Sequence, residues 1–322
     1  MLKLRFYIGM LLVGVMALGA GVVSSQTYPN KAIRVVTSGP GGNTDRTLRI
    51  VAKGLEASMG QPIIVENRAS STLLPGLIVS KAAADGYTLL FQSDFFWIGH
   101  LFKKAPEPYD PVRDFVPITI VANSPQVIAM HPSVPATTVK ELIAQAKARP
   151  GQLNYASTGV GTGNHLAGAL FCFLAQVNMV HVPYTTAGAL LADLLSGQVQ
   201  MRIGSGSLVM PHVKTGKLRA LAVTTSKPTE LFPGLPTVAE TLPGFQYGTT
   251  LIMFAPAKTP SAIISRLNRE LLRVLGQTEV KEQFFRGGTG IVGSSPAQAA
   301  TEIKTTIDLT AKIITFAGIE RN

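Results

Sequence analysis

Two loops of similar make-up hold the residues whose types and spacing could do chemistry. The first runs Thr37-Ser38-Gly39-Pro40-Gly41-Gly42-Asn43-Thr44-Asp45, between a β-branched run and a stretch of helical periodicity. A strand, a glycine-rich turn and a helix start, in that order, present unpaired backbone N–H groups and the positive end of a helix dipole, which together suit an anion. Ser38, Asn43 and Thr44 add side-chain donors around Gly41 and Gly42. The same letters describe an ordinary tight turn with Asn43 or Thr44 as the helix cap, and pattern alone leaves both readings open. Asp45 beside an anion site should repel the ligand unless it faces away. It is expected to stabilise the first helical turn, the alternative being contact with a ligand ammonium group.

The second loop is Tyr155-Ala156-Ser157-Thr158-Gly159-Val160-Gly161-Thr162-Gly163-Asn164-His165. Ser157, Thr158, Gly159, Thr162 and His165 are its candidate binding residues. A dinucleotide fingerprint fails here, because Asn164 stands where the third glycine is needed and no suitable acid follows about twenty residues on. The loop also lacks the lysine of a triphosphate-binding loop. Ser157 and His165 are the loose pieces of a hydrolase, but no G-x-S-x-G elbow surrounds any serine, and His165 is expected to donate a hydrogen bond to loop backbone or ligand. The five histidines never pair at helix-face spacing and have no cysteine neighbours, so no metal or other cofactor is expected. Ser93, Tyr184 and Ser205 each follow a strand candidate. In open α/β sheets that strand edge is where ligands bind, so they are further candidates for one cleft. Trp97, in Phe95-Phe96-Trp97-Ile98, reads more readily as core than as cleft wall.

The elements that must position these loops alternate. Strand candidates are Ile33–Thr37, Ile63–Glu66, Thr88–Gln92, Ile118–Val121, Val127–Met130, Leu153–Ala156, Met179–Val182, Val199–Ile203, Arg219–Thr224 and Leu251–Phe254, with helices between many of them. That rhythm is α/β. Thr138 to Glu141 reads as a capping box, Pro260-Ser261 opens a helix through Leu275, and Ser295-Pro296 opens another to about Phe316.

Lys3 and Arg5 precede an apolar run from Phe6 to Val23 that exits through Ser24 and Ser25, the outline of a cleaved secretory signal over residues 1–25, favoured by its Gly and Ala content and this exit over the rival reading of a retained membrane anchor. No cysteine lies near that exit for a lipid anchor, and the single Cys172 allows no intrachain disulfide. Formal charge is +11, but it is scattered, charged residues are only 15% of the chain, and no basic-aromatic stripe marks a nucleic-acid surface. A diffuse positive field would help recruit small anions.

A series of short motifs runs in order along the chain: Tyr28-Pro29-Asn30-Lys31, Gly41-Gly42-Asn43-Thr44-Asp45, Val65-Glu66-Asn67-Arg68, Asp85-Gly86-Tyr87-Thr88 and Tyr109-Asp110-Pro111. It continues through Tyr155-Ala156-Ser157, His165-Leu166-Ala167-Gly168, His181-Val182-Pro183-Tyr184 and Pro236-Thr237-Val238-Ala239-Glu240. With these motifs in this order the chain resembles the Bug family, the solute receptors of tripartite tricarboxylate transporters. The resemblance implies a type II-like periplasmic binding protein: two Rossmann-like lobes joined by two crossing strands, with Val127–Met130 and Leu251–Phe254 suited to the crossings. Lobe 1 would be residues 26–125 with 252–322, and lobe 2 residues 126–251. The two loops become jaws, and the ligand a small carboxylate held by backbone N–H groups, hydroxyls and water, not by an arginine clamp. Departures lie at Thr37–Gly42, where the family's aromatic wall is replaced by small residues, at Ala69–Gly76, and at Thr185-Thr186.

The function expected is a monomeric periplasmic receptor that delivers its ligand to membrane transporter subunits, without enzymatic activity. The alternatives are a secreted hydrolase using Ser157 and His165, and a ligand sensor for a membrane signalling protein.

Overall fold

The computed structural model describes residues 28–68 and 73–320. The expected signal peptide and its cleavage point lie outside them, as do residues 69–72 of the segment that departs from the family pattern. The body described here begins at Lys31.

The β-branched runs become strands β1 (Ile33–Thr37), β2 (Ile63–Asn67), β3 (Thr88–Ser93), β4 (Phe115–Met130), β5 (Asn154–Ser157), β6 (Val180–Pro183), β7 (Met201–Ser205), β8 (Arg219–Val223), β9 (Gly248–Pro256) and the short β10 (Gly290–Ile291). The helices are α1 (Asn43–Met59), α2 (Leu74–Ser80), α3 (Phe95–Ile98), α4 (Val139–Ala148), α5 (Gly163–Ala175), α6 (Ala187–Ser196), α7 (Gly206–Lys214), α8 (Ser261–Leu275), α9 (Thr278–Arg286) and α10 (Pro296–Ala317). Among the described residues the strands form one mixed sheet in the order β2-β1-β3-β9-β4-β7-β5-β6, with β8 and β10 also paired to β4. β1 runs parallel to β2 and β3, and β5 parallel to β6 and β7.

β4 belongs to both halves of this sheet. Phe115–Pro125 pairs with β9, while Gln126–Met130 pairs with β7 and β8. Pattern reading splits the strand in two because Asn123-Ser124-Pro125 looks like a turn. The structure instead carries β4 through it as one strand. Proline has no N–H to give to a ladder, and Pro125 sits where β4 exchanges one set of partners for the next. Thr224 fastens this seam: its N–H and its hydroxyl both donate to the Gln126 carbonyl, and the Gln126 N–H donates to Thr224 Oγ1 at 2.7 Å. Leu251–Phe254 lies inside β9, which the chain reaches from Thr224 by a segment ending at Tyr247, whose N–H donates to the Thr224 carbonyl.

Local chemistry explains the helix ends. Ser295 and Gln298 form the capping box that starts α10, with Pro296 in its first turn. At α4, Thr138 Oγ1 accepts from Glu141 N–H, but the Glu141 carboxylate reaches back to the N–H and hydroxyl of Thr137, so the reciprocal half of the box is displaced by one residue. Trp97 is fully buried, its ring 5.9 Å from that of Phe254, in a cluster with Phe96, Tyr109 and Phe115. It is core.

Candidate functional site

The first loop leaves β1 at Thr37 and enters α1 at Asn43. Gly41 has φ +83°, a left-handed value that favours glycine. Neither Asn43 nor Thr44 caps the helix: the N-cap is Gly42, which has no side chain to offer, so the first-turn N–H groups of α1 are left uncapped. Asn43 is occupied elsewhere, donating from Nδ2 to Ser124 Oγ at 2.9 Å and accepting at Oδ1 from Thr289 Oγ1 and Arg46. Thr44 is half-buried in the first turn.

Asp45 turns back onto its own loop. Its Oδ2 accepts from Gly41 N–H at 2.9 Å, and its Oδ1 accepts from Asn67 Nδ2 at 2.8 Å and Arg49 Nε at 3.0 Å. Burial alone would raise its pKa, but these hydrogen bonds and the Arg49 charge hold the carboxyl below its ordinary range. With both oxygens engaged, the structural reading of Asp45 stands over contact with a ligand ammonium group. Ser38 Oγ donates to Gln92 Oε1 at 2.9 Å, and its carbonyl accepts from Asn67 Nδ2. Beyond Gln92 lies a cavity of about 50 Å³ bordered by Ser38, Ser93, Phe96, Glu107 and Tyr109. Gln92 Nε2 and Glu107 Oε2 are buried without a hydrogen-bond partner there. Asp94, next to Ser93, instead lines a separate cavity of about 180 Å³ with Tyr247, Thr250 and Glu302. Burial, with the Glu302 charge added, raises its carboxyl to about 7.

The second loop repeats the first in its backbone. Gly161 has φ +79°, and its N–H is taken at 3.0 Å by Nδ1 of His165, the third residue of α5, as the Gly41 N–H is taken by the third residue of α1. The N-cap Thr162 spends its hydroxyl on the Gly159 carbonyl and makes no side-chain cap, so α5 also begins uncapped. Gly161 fits against the Phe102 ring, which a Cβ would approach to 3.3 Å. Gln126, from the seam of β4, stands beside Gly163 with its buried Oε1 unpartnered. Thr158 Oγ1 donates to Asn164 Oδ1, and Asn164 Nδ2 donates to the Ile203 carbonyl, which ties the loop to β7.

His165 is buried, and toward the loop backbone its Nδ1 accepts where donation to backbone or ligand is expected from sequence. Its ring stacks on His181 with centroids 3.8 Å apart, and both face Tyr155. Burial and then the neighbouring His181 lower its pKa to about 4, and burial lowers that of His181. The serine–histidine contact also differs from expectation: Ser157 Oγ lies 2.6 Å from His181 Nε2, not beside His165. That hydroxyl also accepts from Gly159 N–H and is fully buried, so it braces the loop and offers no accessible nucleophile. Among the described residues, no group of three or more His, Cys, Asp or Glu is placed to hold a metal.

Both loops occupy equivalent places in the sheet. β1 leads outward to β2 while its neighbour β3 leads toward β4. β5 leads outward to β6 while its neighbour β7 leads to β8 beside β4. The crevices between β1 and β3, and between β5 and β7, are therefore switch points, where ligands bind in open α/β sheets. Ser38 and Ser93 flank the first and Ser157 and Ser205 the second. Tyr184, just past the end of the outermost strand β6, spends its hydroxyl on Asp193 at 2.8 Å, whereas Ser205 is exposed and bonded to Ser207. Sequence reasoning missed Gln92, Glu107, Gln126 and His181. Gln92 and Gln126 carry a readable signal, a polar side chain abutting an apolar run, Leu89–Phe91 and Val127–Met130 respectively.

This arrangement is that of an α/β periplasmic binding protein. A family model described as the tripartite tricarboxylate transporter family receptor matches residues 47–319. The chain belongs to that family, as the resemblance implied. BugT of Bordetella pertussis is 34% identical over 313 residues, covering 95% of this chain and 96% of BugT. The solved structure of R. palustris Rpa4515 with adipate has a TM-score of 0.72 at 30% identity, covering 91% of this chain and 99% of its own. MatC of Rhodopseudomonas palustris, with bound malate, has a TM-score of 0.67 at 26% identity, covering 89% of this chain and all of its own (100%).

Proposed function

We propose that the chain is a periplasmic receptor, exported by its first 25 residues, that binds a small carboxylate between two lobes and delivers it to a tripartite tricarboxylate-type membrane transporter. The lobes are residues 26–125 with 252–322, and residues 126–251, joined at the seam of β4. The observation that carries this reading is the pair of uncapped helix starts, α1 and α5, each placed by a glycine-turned loop at a switch point. Unpaired N–H groups and aligned dipoles suit a carboxylate, and the loops bring it no competing free acid, since Asp45 is fully engaged. Ser38, Ser93, Thr44, Thr158 and Ser205 surround the ligand. Binding to both loops at once stabilises the closed arrangement, so affinity drives closure. Carboxylates in the Rpa4515 and MatC structures support the ligand class. No helix of the described residues is long and apolar enough to cross a membrane.

The test is a thermal-shift screen of refolded, ligand-free protein against mono-, di- and tricarboxylates, amino acids and aromatic acids. A ligand specific to the native state raises the melting temperature. A shift with one carboxylate class is expected. The proposal fails if no carboxylate shifts the transition, or if esters are turned over in a way that Ser157→Ala abolishes. Loss of growth on that carboxylate after gene deletion separates transport from sensing.

A further inference from the structure

Arg202 lies in β7 with only 4% of its surface exposed, and neither its Nε nor its Nη1 finds an acceptor among the described residues. The ion pairs formed among the described residues do not include it. Burying an unpaired guanidinium is strongly unfavourable, so such a group asks for an anion.

The surroundings are shaped for it. Ala129 of β4 and Ala156 of β5 are its direct register partners, and both are small. On its own strand the side chain lies against Gly204, where a Cβ would come within 2.6 Å of Nε and Nη2. The guanidinium thus runs toward the carboxyl end of β7, one residue short of Ser205, the N-cap of α7, whose side chain makes no cap. That end of β7 is one wall of the β5–β7 crevice. A buried cation and an uncapped helix start therefore converge on one side of the second switch point, while α5 opens on the other. Burial lowers the Arg202 pKa only to about 10, so it stays charged at neutral pH.

We propose that Arg202 is a specificity-determining residue that meets the second carboxylate of a dianionic ligand whose first carboxylate lies at the uncapped helix starts of α1 and α5. This rests on the carboxylate-receptor reading and adds to it a residue and a charge count.

The test is calorimetric titration of the purified protein with length-matched pairs, succinate against butyrate and adipate against hexanoate, in wild type, Arg202→Met, Arg202→Lys and Gly204→Ala. Wild type should prefer the dicarboxylate of at least one pair. Arg202→Met should weaken that dicarboxylate roughly tenfold to a hundredfold, the range of a charged hydrogen bond, and leave the monocarboxylate within about threefold. Arg202→Lys should fall between, since ammonium keeps the charge without the fork. Gly204→Ala should lose the same preference by displacing the guanidinium, and it reports on the proposal even if Arg202→Met does not fold. Unchanged preference in Arg202→Met or Gly204→Ala overturns the role of Arg202 alone. Binding of none of the four ligands by wild type overturns the carboxylate reading, and this proposal with it.

Discussion

The two loops share one backbone design and differ in the chemistry that holds it. In each, a left-handed glycine gives its N–H to the third residue of the following helix, and the helix begins without a side-chain cap. In the first loop the acceptor is the Asp45 carboxylate, compensated by Arg49 and Asn67. In the second it is the neutral imidazole of His165, stacked on His181 and Tyr155. Loop geometry and loop charge are therefore separable: the same turn is braced by an anion in one half and by a neutral ring in the other. The second loop carries no fixed negative charge behind it, and the unpaired Arg202 stands nearby.

Exchanging the braces would break this comparison most severely. His165→Asp puts a carboxylate where no counterpart of Arg49 or Asn67 exists, and should cost about 4 kcal/mol of unfolding free energy at neutral pH, measured by urea denaturation. Acid should separate the loops without mutation. His165 titrates at 6.5 unfolded and about 4 folded, so the unfolded chain takes up a proton first as pH falls. The stability it contributes is whole above about pH 6.5 and declines toward pH 4, by on the order of 3 kcal/mol. Asp45, with its pKa lowered, loses its contribution only below the ordinary carboxylate value of 3.8. Hydrogen exchange at pH 5 should show the second loop losing protection before the first, and equal loss in both would contradict the contrast. Asp45→Ala comes next, at about 2 kcal/mol, because it removes the acceptor of the Gly41 N–H, one of the two acceptors of Asn67 Nδ2 and the partner of Arg49 Nε; Asp45→Asn should recover part of this. The smallest effect is expected from Gly163→Pro. Thr162 already has the extended backbone that precedes proline, and no atom lies closer than 3.7 Å to a Cβ at Gly163, so folding should be unaffected. Loss of that one N–H should weaken carboxylate binding by about 1 kcal/mol in titration calorimetry. Unchanged affinity would remove the α5 start from the site.

Much of this was legible in the letters, and the limits have a physical cause. Glycines between a β-branched run and a helical one locate both loops, because turn chemistry is local. The α10 cap is readable for the same reason, with Ser295 and Gln298 three residues apart. The braces were not. Asp45 meets Asn67 across 22 positions, Ser157 meets His181 across 24, and Ser38 meets Gln92 across 54, distances over which sequence carries no pairing signal. Two strands were expected where β4 is one, since a turn-like tripeptide at a change of partners looks the same as a turn between strands. Arg202 escaped notice because a lone cation on a strand reads as an exposed one.

The continuity of β4 has a mechanical consequence. A joint between two bodies usually has slack, with segments that move independently. Here a single extended strand runs through both parts of the sheet, clamped on one side by β9 and on the other by β7 and β8, with Thr224 bonded across the one short stretch where it changes hands. In the two-lobed receptor proposed above, such a piece would confine bending to Ser124–Gln126, where the strand exchanges partners. Opening and closing of those proposed lobes would then share one coordinate, set by the torsion of a few peptide units.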